Sequence, residues 1–337
     1  MLLPAARGPL TGWLSTVLGE PPARLAPTGS LRPAEAEDED RQLALWVLYE
    51  LHYRGFDDVD PGWEWNPSLL TVRAELEERF AQDLTEQVPP PALDDRPIAA
   101  QLVDLVRADE GPPLSRYLQT HATREQYEQF VTLRSVYHLK EADPHSWAIP
   151  RLSGRAKSAL MEIQADEYGA GSPAHMHSEL FRATMRGLGL DDTYGAYVGQ
   201  APAFTLAVSN LISFFGLHRE RRGALVGHLA AFEMTSSLPN RRYSRGLARL
   251  GADTGTRRFY DEHVTADALH EQLAAHDLCG GLVEAEPQLA PDVLFGAACA
   301  LYVDNRFAGA VLSAWEEGRS PLLATDGDVL ALAADAG

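Results

Sequence analysis

Two imidazoles and a carboxylate fall on one stripe of the segment FYDEHVTADALHEQLAAHD. At about 100° per residue, Phe259, His263, Asp267, His270 and Ala274 share a helical face, while Asp261, Glu262 and Gln272 point elsewhere. His263, Asp267 and His270 therefore converge as a metal-ligand set. Asp267 and His270 form an acid-x-x-His pair like those of di-iron helix bundles. Taken alone, the segment is equally open to being a solvated polar face, because Glu271 and Asp277 lie nearby.

Other segments place acids and a histidine where the periodicity demands apolar side chains. In SGRAKSALMEIQADEYG, the stripe of Ala156, Ala159, Leu160 and Ile163 continues to Glu167, with Glu162 and Asp166 off that face and directed to solvent. His177 heads a stripe of Leu180, Phe181, Thr184, Met185 and Leu188, whereas His175 faces outward. Glu141 extends the stripe of Phe130, Leu133 and Tyr137, and Glu233 that of Val226, Leu229 and Ala230. Each has a plain alternative: a hydrogen-bonded core histidine, a helix-end charge or a salt bridge to arginine. Together they are harder to set aside, because burying an unpaired charge costs several kcal/mol or more. The four carboxylates Glu141, Glu167, Glu233 and Asp267 carry a charge that two divalent cations would cancel, with neutral imidazoles from His177, His263 and His270. Oxygen and nitrogen ligands without thiolate suit iron or manganese better than structural zinc. The hydrolytic H-E-x-x-H pattern, Walker A, G-x-S-x-G and a strand-borne G-x-G-x-x-G are absent from the sequence.

The elements that must position these side chains read as helices. Beyond Pro97 nearly every segment has helical periodicity and alternating β patterns are scarce, which predicts an all-α protein of about ten helices. Breaks are expected at Gly111-Pro112-Pro113, Asp143-Pro144, Gly169 to Pro173, Gly187 to Asp192, Leu238-Pro239-Asn240 and Gly280-Gly281. Upstream, Asn66-Pro67 reads as a cap followed by proline at the first helical position, opening a helix to about Gln87. The expected organisation is an N-terminal segment and linker (1–40), an N-terminal helical region (41–115), a main helical domain (116–320) and a tail (321–337).

The chain has 337 residues, 45% of them hydrophobic, enough for a large core. Its formal charge of −19 opposes nucleic acid and anionic membranes as partners. No apolar run reaches the roughly 20 residues that span a bilayer. Cys279 and Cys299 form no CxxC, sit in small apolar surroundings and fit a reducing, cytoplasmic setting. Ile212, Phe214 and Phe215 are read as core rather than cavity wall, and Arg241, Arg242 and Arg245 as surface arginines rather than a carboxylate clamp.

Over about residues 120–315 the chain resembles the heme-oxygenase-like di-iron oxidases, helical bundles that bind two irons and no heme. HLKEADPHSW, EIQADEYGAGSPAHMHSELF, GHLAAFEMTSSLPNRRY and FYDEHVTADALHE carry the resemblance. It implies a heme-oxygenase-like bundle with an N-terminal helical extension, and seven ligands to two irons: Glu141, Glu167, His177, Glu233, His263, Asp267 and His270. The ten-residue separation of Glu167 and His177 matches the N-oxygenase-like members, in contrast to those that place the pair within one turn. The implied chemistry is activation of O2 as co-substrate through a peroxo-diferric species, with Glu233 as the carboxylate that changes binding mode. The expected outcome is N-oxygenation of an amine or guanidine on a small metabolite. The alternatives are oxidative C–C cleavage or decarboxylation of an amino or fatty acid, and non-catalytic iron storage. An external electron donor and a homodimer are the further expectations.

Overall fold

The computed structural model describes residues 1–25, 33–35 and 38–324, without the side chains of 265–269. Among these residues there is no strand, and the all-α expectation holds. The N-terminal part comprises α1 (Pro9–Leu18), α2 (Asp38–Glu50), α3 (Pro67–Gln87), α4 (Ile98–Arg107) and α5 (Leu114–Thr120). Then follow α6 (Arg124–His138), α7 (Gly154–Glu167), α8 (His177–Leu188) and α9 (Ala203–Leu217). The chain continues with α10 (Arg222–Arg249), α11 (Thr254–Gln272), α12 (Gly280–Ala285) and α13 (Ala290–Glu316).

Local chemistry explains several of these boundaries. Asn66 accepts from the amides of Ser68 and Leu69 at 2.9 and 3.4 Å, and Pro67 needs no donor there, so α3 starts where the sequence places it. The first turn of α1 is capped from another helix: Asp40 accepts from the amides of Leu10 and Thr11 at 2.9 and 2.8 Å. Gly189 closes α8 at φ 82°, a left-handed conformation that favours glycine.

Packing is organised around α10, which contacts α13, α11, α5 and α9. Helix α9 is apolar on all sides and accordingly lies inside, between α2, α6 and α13. Its one buried amide, Asn210, donates to the carbonyl and the side-chain oxygen of Gln42 on α2, both at 2.9 Å. One cluster of buried apolar side chains runs from Leu10 to Trp315, so the N-terminal helices share the core that holds the later ones.

Two expected breaks are not breaks. Helix α10 runs through Pro239, and the chain passes from α11 through a π-helical stretch, Leu273–Cys279, into α12 across Gly280-Gly281. A proline inside a helix costs about 3 kcal/mol. Packing of α10 against α13, α11, α5 and α9 offsets that. Gly281 serves approach rather than turning: a Cβ there would stand 3.2 Å from the Ala156 nitrogen and the Arg155 Cβ on α7.

Glycines also set the contact between α10 and α13. A Cβ on Gly227 would overlap the Val293 carbonyl, and one on Gly296 the Ala224 carbonyl. Backbone is the obstacle, so neither helix can yield by side-chain rotation. Gly296→Val is expected to destabilise by about 1–3 kcal/mol or more through overpacking. Gly309→Ala, whose nearest neighbour would be Pro112 Cγ at 3.6 Å, is expected to be neutral or stabilising. Denaturant midpoints compare the two, and equal midpoints would remove the close-approach argument.

Candidate metal centre

Five separate elements deliver ionisable side chains to one place. Glu141 comes from the turn after α6, Glu167 from the last residue of α7 and His177 from the first of α8, while Glu233 stands on α10. His263 and His270 stand on α11. They form two groups of three, each with one ligand atom per residue and all such atoms within 4.8 Å of one another. The first is Glu141, His177 and His263, and the second Glu167, Glu233 and His270. Six of the seven expected ligands are thus brought together. Asp267 lies on the backbone of α11, and its side chain falls outside the described residues.

Glu141 Oε1 stands 4.0 Å from His177 Nδ1 and 3.9 Å from His263 Nε2. In the second group, Glu233 Oε2 is 3.4 Å from His270 Nδ1. Glu167 links the groups, because its Oε2 is 2.9 Å from His177 Nδ1 of the first while the residue belongs to the second. Ligands each about 2.0–2.2 Å from a common ion stand roughly 3 Å or more apart, so these separations suit shared cations.

Hydrogen bonding supports the same conclusion. Glu141 Oε1, Glu167 Oε2, His177 Nδ1 and His270 Nδ1 are all buried, face one another and Glu233 across these separations, and have no hydrogen-bond partner outside the cluster. Buried polar atoms rarely converge in this way, and four at one point fit donor atoms that a shared cation would join. The outward atoms, by contrast, are engaged. His263 Nδ1 donates to the Phe259 carbonyl at 2.8 Å, which leaves Nε2 unprotonated and facing Glu141. His270 Nε2 lies 3.0 Å from Asp166 Oδ2, which fixes the proton there and turns Nδ1 toward Glu233. His138 Nδ1 lies 2.5 Å from Glu141 Oε2 and holds that carboxylate from behind.

His138 and Asp166 are the residues the sequence reading missed. Asp166 lies on a solvent face, as its position requires, with its side chain 48% exposed, but one oxygen turns in against His270. The signal for His138 is its position one turn before Glu141. His175 is exposed and His177 buried, as the stripe of α8 requires. Cys279 and Cys299 are buried and free, and burial pushes the Cys299 thiol up to about 12, which makes it a packing residue.

The metal-free cluster balances its charge with protons. Burial, then Glu167, raises Glu141 to about 8. Burial opposes charge on His177 and His270, but Glu167 outweighs it at His177, held near 10, and Glu233 outweighs it at His270, held near 9. Burial would also raise Glu167, yet His177 beside it draws it down to about 2. Burial and the charge on His177 depress His263 to about 4. A cation bound here would therefore compete with protons on Glu141, His177 and His270.

A cavity of about 640 Å³ reaches this cluster and is bordered by Glu141, Glu167, Glu233, Tyr137, Phe232 and Arg134, among others. That volume suits a small-molecule site. Ile212, Phe214 and Phe215 do not border it and belong to the core, with Phe214 packed on Phe80. Arg242 does border it, whereas Arg241 and Arg245 are exposed.

Between pH 7 and 10 only the raised groups titrate among those just named. Each binds its proton more tightly folded than unfolded, so its contribution to metal-free stability is lost as pH rises through 8 to 10. The melting temperature of metal-depleted protein is expected to fall over this range, while divalent-cation affinity rises and uptake at pH 7 releases protons. Calorimetry in buffers of different ionisation enthalpy measures the release, and uptake without it would contradict the charge assignment.

Comparison with known proteins agrees with this geometry. Nitrosourea synthase of Streptomyces achromogenes subsp. streptozoticus is 26% identical over 198 residues, 58% of this chain and 42% of that protein. The chain thus spans less than half of this relative. A domain of unknown function with a heme oxygenase-like fold from Shewanella denitrificans superposes with TM-score 0.50 at 14% identity, over 68% of this chain and 95% of that one. A CADD-like protein of unknown function from Nostoc punctiforme gives TM-score 0.51 at 14% identity, over 64% and 96%. These likenesses establish the heme-oxygenase-like fold. The sequence profile of the iron-containing redox enzymes matches residues 128–305, more than half of the chain and the stretch that holds every candidate ligand, and the protein belongs to that family.

Proposed function

We propose that this protein is an O2-dependent, non-heme di-iron oxidoreductase that oxidises a small metabolite, with N-oxygenation of an amine or guanidine as its reaction. The observation that carries the reading is the pair of buried groups, Glu141/His177/His263 and Glu167/Glu233/His270, joined through Glu167. Family membership supports iron at that position, and likeness to a nitrosourea synthase favours chemistry at nitrogen. Oxidative C–C cleavage by the same centre is the alternative reaction.

Two ferrous ions would supply the electrons that reduce O2. This chain's residues do the rest. The imidazoles of His177, His263 and His270 complete the two ligand sets, with Asp267 as the seventh ligand. Phe259, Asp166 and His138 fix the orientation of His263, His270 and Glu141. Glu167, a member of the second group that also reaches His177 of the first, would be available to ions held by either. Glu233, like Glu141, belongs to one group alone and borders the cavity; it would be the carboxylate that changes its mode of binding, the role the family resemblance implies for it. Leu229 and Phe232 supply an apolar part of the cavity wall that also holds Glu233.

His270→Ala and Asp267→Ala are each expected to abolish binding of at least one iron per chain, read by metal analysis after anaerobic ferrous loading. Retention of two tightly bound irons in either variant would refute the ligand assignment. Mixing the ferrous protein with O2 in a stopped-flow spectrometer tests catalysis separately. A transient visible band that decays faster with an amine substrate supports the enzyme, and slow featureless ferric formation favours storage.

A further inference from the structure

Glu141 does not stand on a regular helix. Helix α6 ends at His138, and Glu141 lies in the turn over 139–143. A ligand on a turn lacks the surrounding helical hydrogen bonds, so neighbours must set its position. Both residues that flank it are tied to other helices. The Ala142 carbonyl accepts from Gln164 Nε2 at 2.9 Å, which fastens the turn to α7. On the other side, Lys140 Nζ donates to Glu50 Oε2 at 2.8 Å, which fastens it to the end of α2.

The second tie is buried throughout. The side chains of Lys140 and Glu50 are 2% and 0% exposed. Lys140 Nζ also lies 4.5 and 5.2 Å from the ring centroids of Tyr53 and Trp46, and the Tyr194 hydroxyl donates to the two oxygens of Glu50 at 2.9 and 2.8 Å. Removing two charges from water costs several kcal/mol per ion, and well-packed apolar residues would give equal or better stability at such a position. Stability alone therefore does not account for the pair. Its location does, because it ends one residue from a metal ligand.

We propose that Glu50 and Lys140 are positioning residues for Glu141, through which helix α2, outside the family-matched stretch of 128–305, helps build the Glu141/His177/His263 group. The proposal rests on the reading of Glu141 as a metal ligand. Lys140 holds the turn at a fixed distance from α2. Glu50 cancels an ammonium that would otherwise lie buried and unpaired.

The test uses metal-depleted, full-length protein titrated with Co(II), followed by visible absorption, with thermal unfolding in parallel. The double substitution Glu50→Gln with Lys140→Met removes both charges and leaves neither unpaired. It is expected to fold, to bind one Co(II) as the parent does, and to bind the other roughly 10–100-fold more weakly, the cost seen when outer contacts of a metal site are removed. The weakened absorption band should be the one lost in Glu141→Gln, while the band lost in Glu233→Gln persists. Parent affinity for both ions, or equal loss of both, overturns the proposal. If the double variant does not fold, Tyr194→Phe removes one hydrogen bond to Glu50 and should weaken the same ion alone by about threefold. Unchanged affinity there is equally contrary. A parent protein that binds fewer than two Co(II) overturns instead the two-ion reading beneath the proposal.

Discussion

Like charges buried at one point are the constraint on which the rest of this structure depends. Glu141, Glu167 and Glu233 lie within a few ångströms of one another's partners in a bundle interior, where repulsion is weakly screened. They persist together only if positive charge joins them. Protons on His177 and His270 and on Glu141 itself can supply it, and so can two divalent cations. The same side chains can therefore take up protons or, on the proposed reading, cations, and the two would compete for the same lone pairs.

Holding such a cluster requires restraint from outside it. Helix α11 carries two imidazoles seven residues apart, and each is oriented by a different group: the Phe259 carbonyl one turn back on the same helix, and Asp166 across on α7. Glu141, which has no helix beneath it, is held by His138, by the tie of Ala142 to Gln164 and by the reach of Lys140 to Glu50. These contacts are shared among α2, α6, α7 and α11, so the N-terminal helices are not merely adjacent to the centre. They share one core with it.

The site illustrates which signals survive in a sequence and which do not. His177, His263, His270, Glu167 and Glu233 sit on helices whose apolar stripes point inward, so a periodicity of 3.6 residues marks them as inward candidates, and their number together makes the case. Glu141 fits its stripe although the helix has already ended at His138, because the turn that follows keeps the same inward direction. Asp166 defeats the method: its face is solvent, and only the approach of α11 gives it a partner. Pro239 and Gly280-Gly281 defeat it differently, since breaking propensity is a local quantity and the packing of α10 and α7 against their neighbours exceeds it.

By itself, then, the sequence determined the helical class, the inward stripes and the identity of the ionisable residues placed on them, because those follow from local periodicity and the cost of burying charge. Tertiary structure alone decided how six of the residues divide into two groups of three, that Glu167 joins them, and that Glu50, Lys140, His138 and Asp166 stand behind them. Those facts depend on distances between helices far apart in the chain, set by close approaches such as Gly227 against Val293 and Gly296 against Ala224. No pattern along a single helix encodes them.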